Sequence, residues 1–127
     1  GDRPFWLNEG LAELSERASN RIAPLTRGER MRLRGAIDAG EWIPLRRIAP
    51  SFSGLKDEQA RLAYLISTAA AAWVEAHTER DGRARLLGRL GEGWSDAEAP
   101  KEVEGADTDA IDAALQAEIR TELPPGP

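Results

Sequence analysis

Three glutamates recur on one side of the first helix that the sequence predicts. If residues 6–18 are helical, Glu9, Glu13 and Glu16 lie at positions i, i+4 and i+7 and share one face. The opposite side carries an apolar stripe, formed by Leu7, Leu11, Leu14 and Ala18. A carboxylate on such a face can ligate a metal, but the usual explanation for an acidic face is exposure to water.

The segment that contains Glu9 reads W-L-N-E-G over residues 6–10. It resembles the W-L-N-E-G stretch of zinc metallopeptidases of the gluzincin, or peptidase-MA-like, kind. In that family two histidines of an H-E-x-x-H helix and one glutamate of the next helix hold the metal. The resemblance implies that Glu9 is the third zinc ligand, and that Glu13 either supports this ligand from behind or lies at the surface.

A second stretch, A-Y-x-x-S-x-A over residues 63–69, resembles the segment that follows in peptidase-MA-like proteins. In related aminopeptidases a tyrosine at the comparable helix start donates a hydrogen bond to the tetrahedral intermediate. The resemblance therefore implies a catalytic role for Tyr64. A packing tyrosine with its hydroxyl at the surface is the alternative, and Thr68 stands where many relatives have another aromatic residue.

The rest of a zinc site is missing from these residues. No H-E-x-x-H occurs, and the only histidine, His77, lies far downstream at the edge of an apolar stripe, where we expect its ring to pack. We therefore expect the C-terminal part of a metallopeptidase-type domain, cut just after its first two ligands. Zinc belongs to the full-length parent under this interpretation, and the chain alone should bind none and be inactive. Substrate-binding residues are not identified.

Three hypotheses for function remain open. The first is a fragment of a zinc metallopeptidase that hydrolyses peptide or protein substrates. The second is a non-catalytic relative that acts in binding, and the third is an unrelated helical domain for protein–protein interaction. If a covering helix is missing, an apolar groove flanked by Trp6, Ala60 and Tyr64 should be exposed, and a homodimer could fill it.

Composition narrows the class of protein without choosing among these hypotheses. The 127 residues suit one domain with a real core, and 41% hydrophobic with 31% charged residues is ordinary for a globular chain. A net charge of −5 argues against a nucleic-acid partner. No apolar run is long enough for a membrane span. The absence of cysteine excludes disulfides and thiol catalysis and leaves the compartment open.

Helical periodicity, interrupted by prolines and glycines, predicts a single all-α domain of five or six helices. The resemblance implies that residues 1–123 correspond to the C-terminal helical subdomain of gluzincins. Thr26 and Glu29 form a capping-box pattern for a helix that runs to about Ala39 and stops at Gly40. Residues 41–50 should be an extended connector, since prolines stand near both ends.

The long helix predicted from Asp57 to His77 has one apolar face and one face of mostly small residues, which lets another backbone approach. Two short helices should follow, over residues 83–90 and from Ser95 to about Gly105. A last helix, capped by Asp107 or Thr108, should reach Leu123. Residues 124–127 should form a disordered tail.

Overall fold

The computed structural model describes residues 4–48, 52, 54–81 and 99–122, with side chains except at 78–81 and 99–107. Five helices occupy these ranges: α1 (Phe5–Ser19), α2 (Arg27–Asp38), α3 (Leu45–Ile48), α4 (Asp57–Asp81) and α5 (Ala99–Glu122). The described ranges contain no strand, which confirms the predicted all-α fold. The predicted helix at 83–90 and the tail at 124–127 lie outside the described residues.

The pair α1 and α4 makes the most extensive contact among the described helices. Gly10 allows this contact, because a Cβ atom at that position would overlap the Ser67 carbonyl oxygen and lie 2.6 Å from the Ala71 Cβ. On α4, Ser67 and Ala71 are fully buried. The predicted small-residue face of this helix is therefore confirmed, and another backbone does approach it.

One buried apolar cluster joins all five helices. Helix α1 contributes Trp6, Leu7 and Leu14, so two residues of its predicted stripe are core residues, while Ala18 is exposed. The other helices contribute Leu33 and Ala36, Leu45 and Ile48, Leu62, Ala63, Ile66, Ala69, Ala70, Ala71 and Val74, and Ile111, Leu115 and Ile119.

The start and end of α2 are set by local interactions that the sequence predicted. The Thr26 hydroxyl accepts a hydrogen bond from the Glu29 backbone N–H, and the Glu29 carboxylate accepts one from the Thr26 backbone N–H, which completes the capping box. After the helix, Gly40 has a φ of 71°, a left-handed conformation that glycine adopts without strain.

The prediction of an extended connector over residues 41–50 was wrong for residues 45–48, which form α3. Leu45 and Ile48 are both fully buried. They are three residues apart, so a single helical turn points both side chains in one direction, whereas an extended chain would direct them to opposite sides. Burial of both residues therefore explains the turn.

The two helices predicted on either side of Gly105 are one helix, α5, and this prediction was also wrong. A glycine inside a helix costs only about 1 kcal/mol, which tertiary packing can offset. Thr108 is a buried helical residue rather than a cap. Helix α4 likewise continues past His77 to Asp81. Within the described ranges, no helix combines the length and apolarity that a membrane crossing needs.

Candidate functional site

Glu9, Glu13 and Tyr64 lie on one surface of the α1–α4 pair. The Tyr64 hydroxyl donates a hydrogen bond to Glu13 Oε1 at 2.9 Å. This bond, partial burial, and the negative charges of Glu13, Glu9 and Glu16 together raise the pKa of Tyr64. Because Glu9 and Glu16 share a face of α1 with Glu13, which contacts Tyr64 directly, the predicted acidic face of α1 is the face that borders Tyr64.

The packing of α1 on α4 explains why Glu13 and Tyr64 meet. Gly10 lies against Ser67, while Glu13, three residues later on α1, contacts Tyr64, three residues earlier on α4. The two helices are therefore antiparallel, and the Gly10–Ser67 and Glu13–Tyr64 contacts lie about one helical turn apart. On its other side, the Tyr64 ring lies 6.0 Å from the Phe52 ring.

Arg17 connects this surface to α2. Its Nε donates to Glu13 Oε2 at 2.8 Å, and its two terminal nitrogens donate to the two Glu29 oxygens at 2.7 Å each. One of these nitrogens also donates to the Pro24 carbonyl oxygen at 3.0 Å. The hydrogen bonds run from the cap residue Thr26 and from Glu29 on α2, through Arg17 and Glu13 on α1, to Tyr64 on α4. We call this set the Arg17 network.

Charge pairing within the Arg17 network shifts the pKa values of its members in the expected directions. The hydrogen bonds from Arg17 are the largest influence on Glu29 and lower its pKa to about 2, although partial burial opposes the shift. The Arg17 hydrogen bond also lowers the pKa of Glu13, with a smaller contribution from Tyr64. Both carboxylates are therefore ionised at neutral pH, and Arg17 stays protonated.

An open cleft of about 470 Å³ lies over the Arg17 network. Its walls combine charged side chains of both signs with Tyr64, Leu65 and Thr68. The charged residues are Glu13, Arg17, Glu29, Arg32 and Arg61. Thr68, the residue that departs from the family pattern, is fully buried and donates its hydroxyl to the Tyr64 carbonyl oxygen. The hydroxyl is thus satisfied inside the helix that forms the cleft wall.

Glu9 is half-buried. Unlike the Glu13 carboxylate, the Glu9 carboxylate forms no hydrogen bond or ion pair with another described residue. No group of three histidine, cysteine, aspartate or glutamate side chains in the described ranges is arranged to hold a metal. A complete zinc site needs three protein ligands, so the described residues do not fit zinc by themselves and Glu9 offers one ligand at most.

Two further predictions concern Trp6 and His77. Trp6 is fully buried, so the expectation that it flanks an exposed groove was wrong. The homodimer that the groove suggested stays a prediction.

The His77 ring stacks on Trp73 with ring centres 4.0 Å apart, and Nδ1 lies 2.8 Å from the Trp73 carbonyl oxygen. This confirms the predicted packing of the histidine ring.

A second polar contact, which we did not predict, joins Trp42 to α5. The Trp42 indole N–H donates to Asp112 Oδ1 at 2.8 Å, across 70 residues of sequence. Asp112 is buried, and burial raises its pKa even though this hydrogen bond acts in the opposite direction. The sequence did contain a signal, because Asp112 interrupts the apolar stripe that Ile111 and Leu115 define.

The comparisons with known proteins add no family to this picture. No protein-family model, no curated protein and no solved structure matches this chain. The resemblance to gluzincins therefore rests on the two sequence motifs alone.

Proposed function

We propose that this chain supplies the third zinc ligand and the neighbouring tyrosine of a metallopeptidase of the gluzincin kind. The observation that carries the proposal is the 2.9 Å hydrogen bond from the Tyr64 hydroxyl to Glu13. Glu9 lies one turn before Glu13 on the same face of α1, so this contact puts Tyr64 and Glu9 on one side of the α1–α4 pair although they are 55 positions apart in sequence. A metal ligand and a donor to the reacting carbonyl must meet in this way, because both act on one scissile bond.

Each residue has a definite task under this proposal. Glu9 presents a carboxylate with no described partner, which suits it to ligation. Glu13, one turn after Glu9 on α1, accepts the hydrogen bond that holds the Tyr64 hydroxyl. Tyr64, which is 41% exposed, can turn its hydroxyl towards a substrate oxygen that reaches the cleft. Zinc, when bound, would polarise the substrate carbonyl and acidify a water molecule.

The proposal requires an H-E-x-x-H helix from residues preceding Gly1 in a longer protein. The 127-residue chain alone should bind no stoichiometric zinc and hydrolyse no peptide, because one carboxylate is a weak ligand in water. Calorimetry with zinc chloride measures this directly. Tight zinc binding by the 127-residue chain would show that zinc is held by other residues of this chain and not by Glu9 together with an H-E-x-x-H helix.

A non-catalytic binding domain is the second hypothesis, and one observation favours it. The hydroxyl hydrogen of Tyr64 is directed at Glu13, and the ring lies beside Phe52, so the residue also fits a purely structural role between α1 and α4. In that case the cleft over the Arg17 network would bind a protein segment without cleaving it.

The deciding experiment begins with the coding sequence upstream of Gly1. If it encodes H-E-x-x-H, the longer protein should bind one zinc ion. Glu9→Gln should then weaken zinc binding at least about 100-fold, because one of three protein ligands is lost. Glu16→Gln is the matched control, since it removes the same charge from an exposed position of the same helix, and should change the affinity less than about threefold.

Two outcomes would favour the binding domain instead. One is an upstream sequence without H-E-x-x-H. The other is a longer protein whose zinc affinity is the same with Glu9→Gln as with Glu16→Gln.

A further inference from the structure

Arg17 is the most constrained arginine of the cleft that contains Tyr64. Its side chain is only 14% exposed, and it forms hydrogen bonds to Glu13, Glu29 and the Pro24 carbonyl oxygen. The other two arginines of the cleft, Arg32 and Arg61, are far more exposed and share Glu58 as their ion-pair partner. Surface ion pairs of that kind hold side chains only loosely.

The two oxygens of Glu13 have different partners. Oε2 accepts from Arg17 and Oε1 accepts from Tyr64. Both oxygens lie in one plane on the same carbon, so the hydrogen bond that holds Oε2 also restricts the direction of Oε1. The position of the Tyr64 hydroxyl therefore depends on a residue that it does not touch.

We propose that Arg17 is a positioning residue for Tyr64, which it controls by holding the Glu13 carboxylate in the orientation that accepts the tyrosine hydroxyl. This inference rests on the proposed function for its role in catalysis, since Glu13 holds the hydroxyl on the same face of α1 as Glu9. The hydrogen-bond geometry alone carries the positioning itself.

Arg17 is suited to this task because its own position is fixed from α2. Two parallel hydrogen bonds to Glu29 define both the distance and the plane of the guanidinium group. Glu29 is held in turn by the backbone N–H of Thr26 at 2.9 Å. Lysine, with a single rotatable ammonium group, could not reproduce both contacts.

The test uses Tyr64 as its own reporter. The chain contains one tyrosine, so the ultraviolet absorbance of the phenolate in an alkaline titration measures the pKa of Tyr64 alone. Glu13→Gln should lower this pKa, because it removes a negative charge and the charged hydrogen-bond acceptor. The decisive quantity is the size of that shift in the wild-type chain and in an Arg17→Met background.

If Arg17 positions Glu13, the shift caused by Glu13→Gln should fall to less than about half in the Arg17→Met background, since the two carboxylate oxygens are no longer oriented. If Arg17 is only a neighbouring charge, Glu13 acts unscreened after its removal, and the shift should be as large as before or larger. The second result would overturn the proposal.

Arg61→Met is the matched control, because it removes the same charge from the same cleft without touching Glu13. The Glu13→Gln shift should be unchanged in that background. Circular dichroism at each pH reports whether the chain is folded. If Arg17→Met does not fold, Arg17→Lys and Glu29→Gln provide the same comparison, and an undiminished shift in both would equally overturn the positioning role.

The titration uses the 127-residue chain without zinc, so its result does not depend on the metal. If Arg17 positions Tyr64 but the longer protein binds no zinc, the peptidase proposal fails alone. If the longer protein binds zinc through Glu9 but the shift is undiminished, the positioning role fails alone.

Discussion

The residues of W-L-N-E-G have separate physical roles in this chain. Trp6 and Leu7 are fully buried in the core, Glu9 is half-buried on the face of α1 that borders Tyr64, and Gly10 is the point where α1 touches α4. A motif that resembles a catalytic signature is therefore also a packing signature. The glycine is required by the fold whether or not Glu9 binds a metal.

Gly10→Ala should destabilise the chain by about 2–3 kcal/mol, because its Cβ would meet backbone and a small buried side chain that cannot move aside. Gly35→Ala is the control. Gly35 lies on the exposed side of α2 with nothing within 4 Å of an added Cβ, so the same change should stabilise by up to about 1 kcal/mol. Urea unfolding measures both, and equal effects would contradict the close approach of α1 and α4.

The pH dependence of stability should report the Arg17 network. The pKa of Glu29 is lowered to about 2 in the folded chain and is about 4.5 when unfolded. A lowered carboxyl pKa stabilises the folded state above the unfolded value, and this contribution is lost as pH falls from 4.5 towards 2. Glu29→Gln should therefore destabilise the chain near neutral pH, by about 1–2 kcal/mol for a partly exposed charged pair, and very little near pH 2.

Asp112 provides an internal control of opposite sign. Burial raises its pKa, so the folded state favours the protonated form and loses stability as pH rises through the raised value. The free energy of unfolding of Asp112→Asn should therefore increase relative to wild type between pH 4 and pH 7. Urea unfolding across this range checks both variants, and parallel pH profiles for the two would contradict the assigned environments.

At the scale of single helices, stability depends on end interactions as well as on packing. Thr26→Ala should cost about 1 kcal/mol, because it leaves the Glu29 backbone N–H of α2 without its acceptor. Thr121→Ala is the matched control, since that hydroxyl only donates to the Ala117 carbonyl oxygen on the exposed side of α5. The control should be neutral or slightly stabilising in thermal unfolding. A capping role is excluded if the two substitutions have the same effect.

Local rules predicted the parts of the fold that depend on neighbouring residues. The capping box of Thr26 and the left-handed Gly40 follow from side-chain and backbone chemistry within one turn. Helix α3 and the continuity of α5 depend on burial against distant elements, and the sequence did not show them. The bond between Tyr64 and Glu13 spans 51 residues, and no pattern within either helix encodes it. Both residues were singled out, but their partnership required the packing at Gly10.

For the whole molecule, α5 joins the other helices by an apolar stripe with ion pairs at its edges. Ile111, Leu115 and Ile119 are buried in the shared core. At the surface, Glu122 pairs with Arg30 of α2, and Asp109 pairs with Arg46 of α3 at 3.0 Å. The apolar side chains are removed from water, whereas the ion pairs stay exposed to it. Apolar burial should therefore contribute more to the stability of the folded chain than these exposed ion pairs do.

Leu115→Ala should therefore lower the free energy of unfolding by about 2–4 kcal/mol, since it removes buried methyl groups and leaves a cavity between helices. Glu122→Gln breaks an ion pair whose side chains are 39% and 43% exposed, so it should change stability by less than about 0.5 kcal/mol. Urea unfolding followed by both tryptophan fluorescence and circular dichroism measures these losses. If α5 belongs to the same cooperative unit as α1 and α4, the two probes should give coincident midpoints in wild type and in both variants. A larger loss from Glu122→Gln than from Leu115→Ala would mean that charge, rather than burial, holds α5 in place.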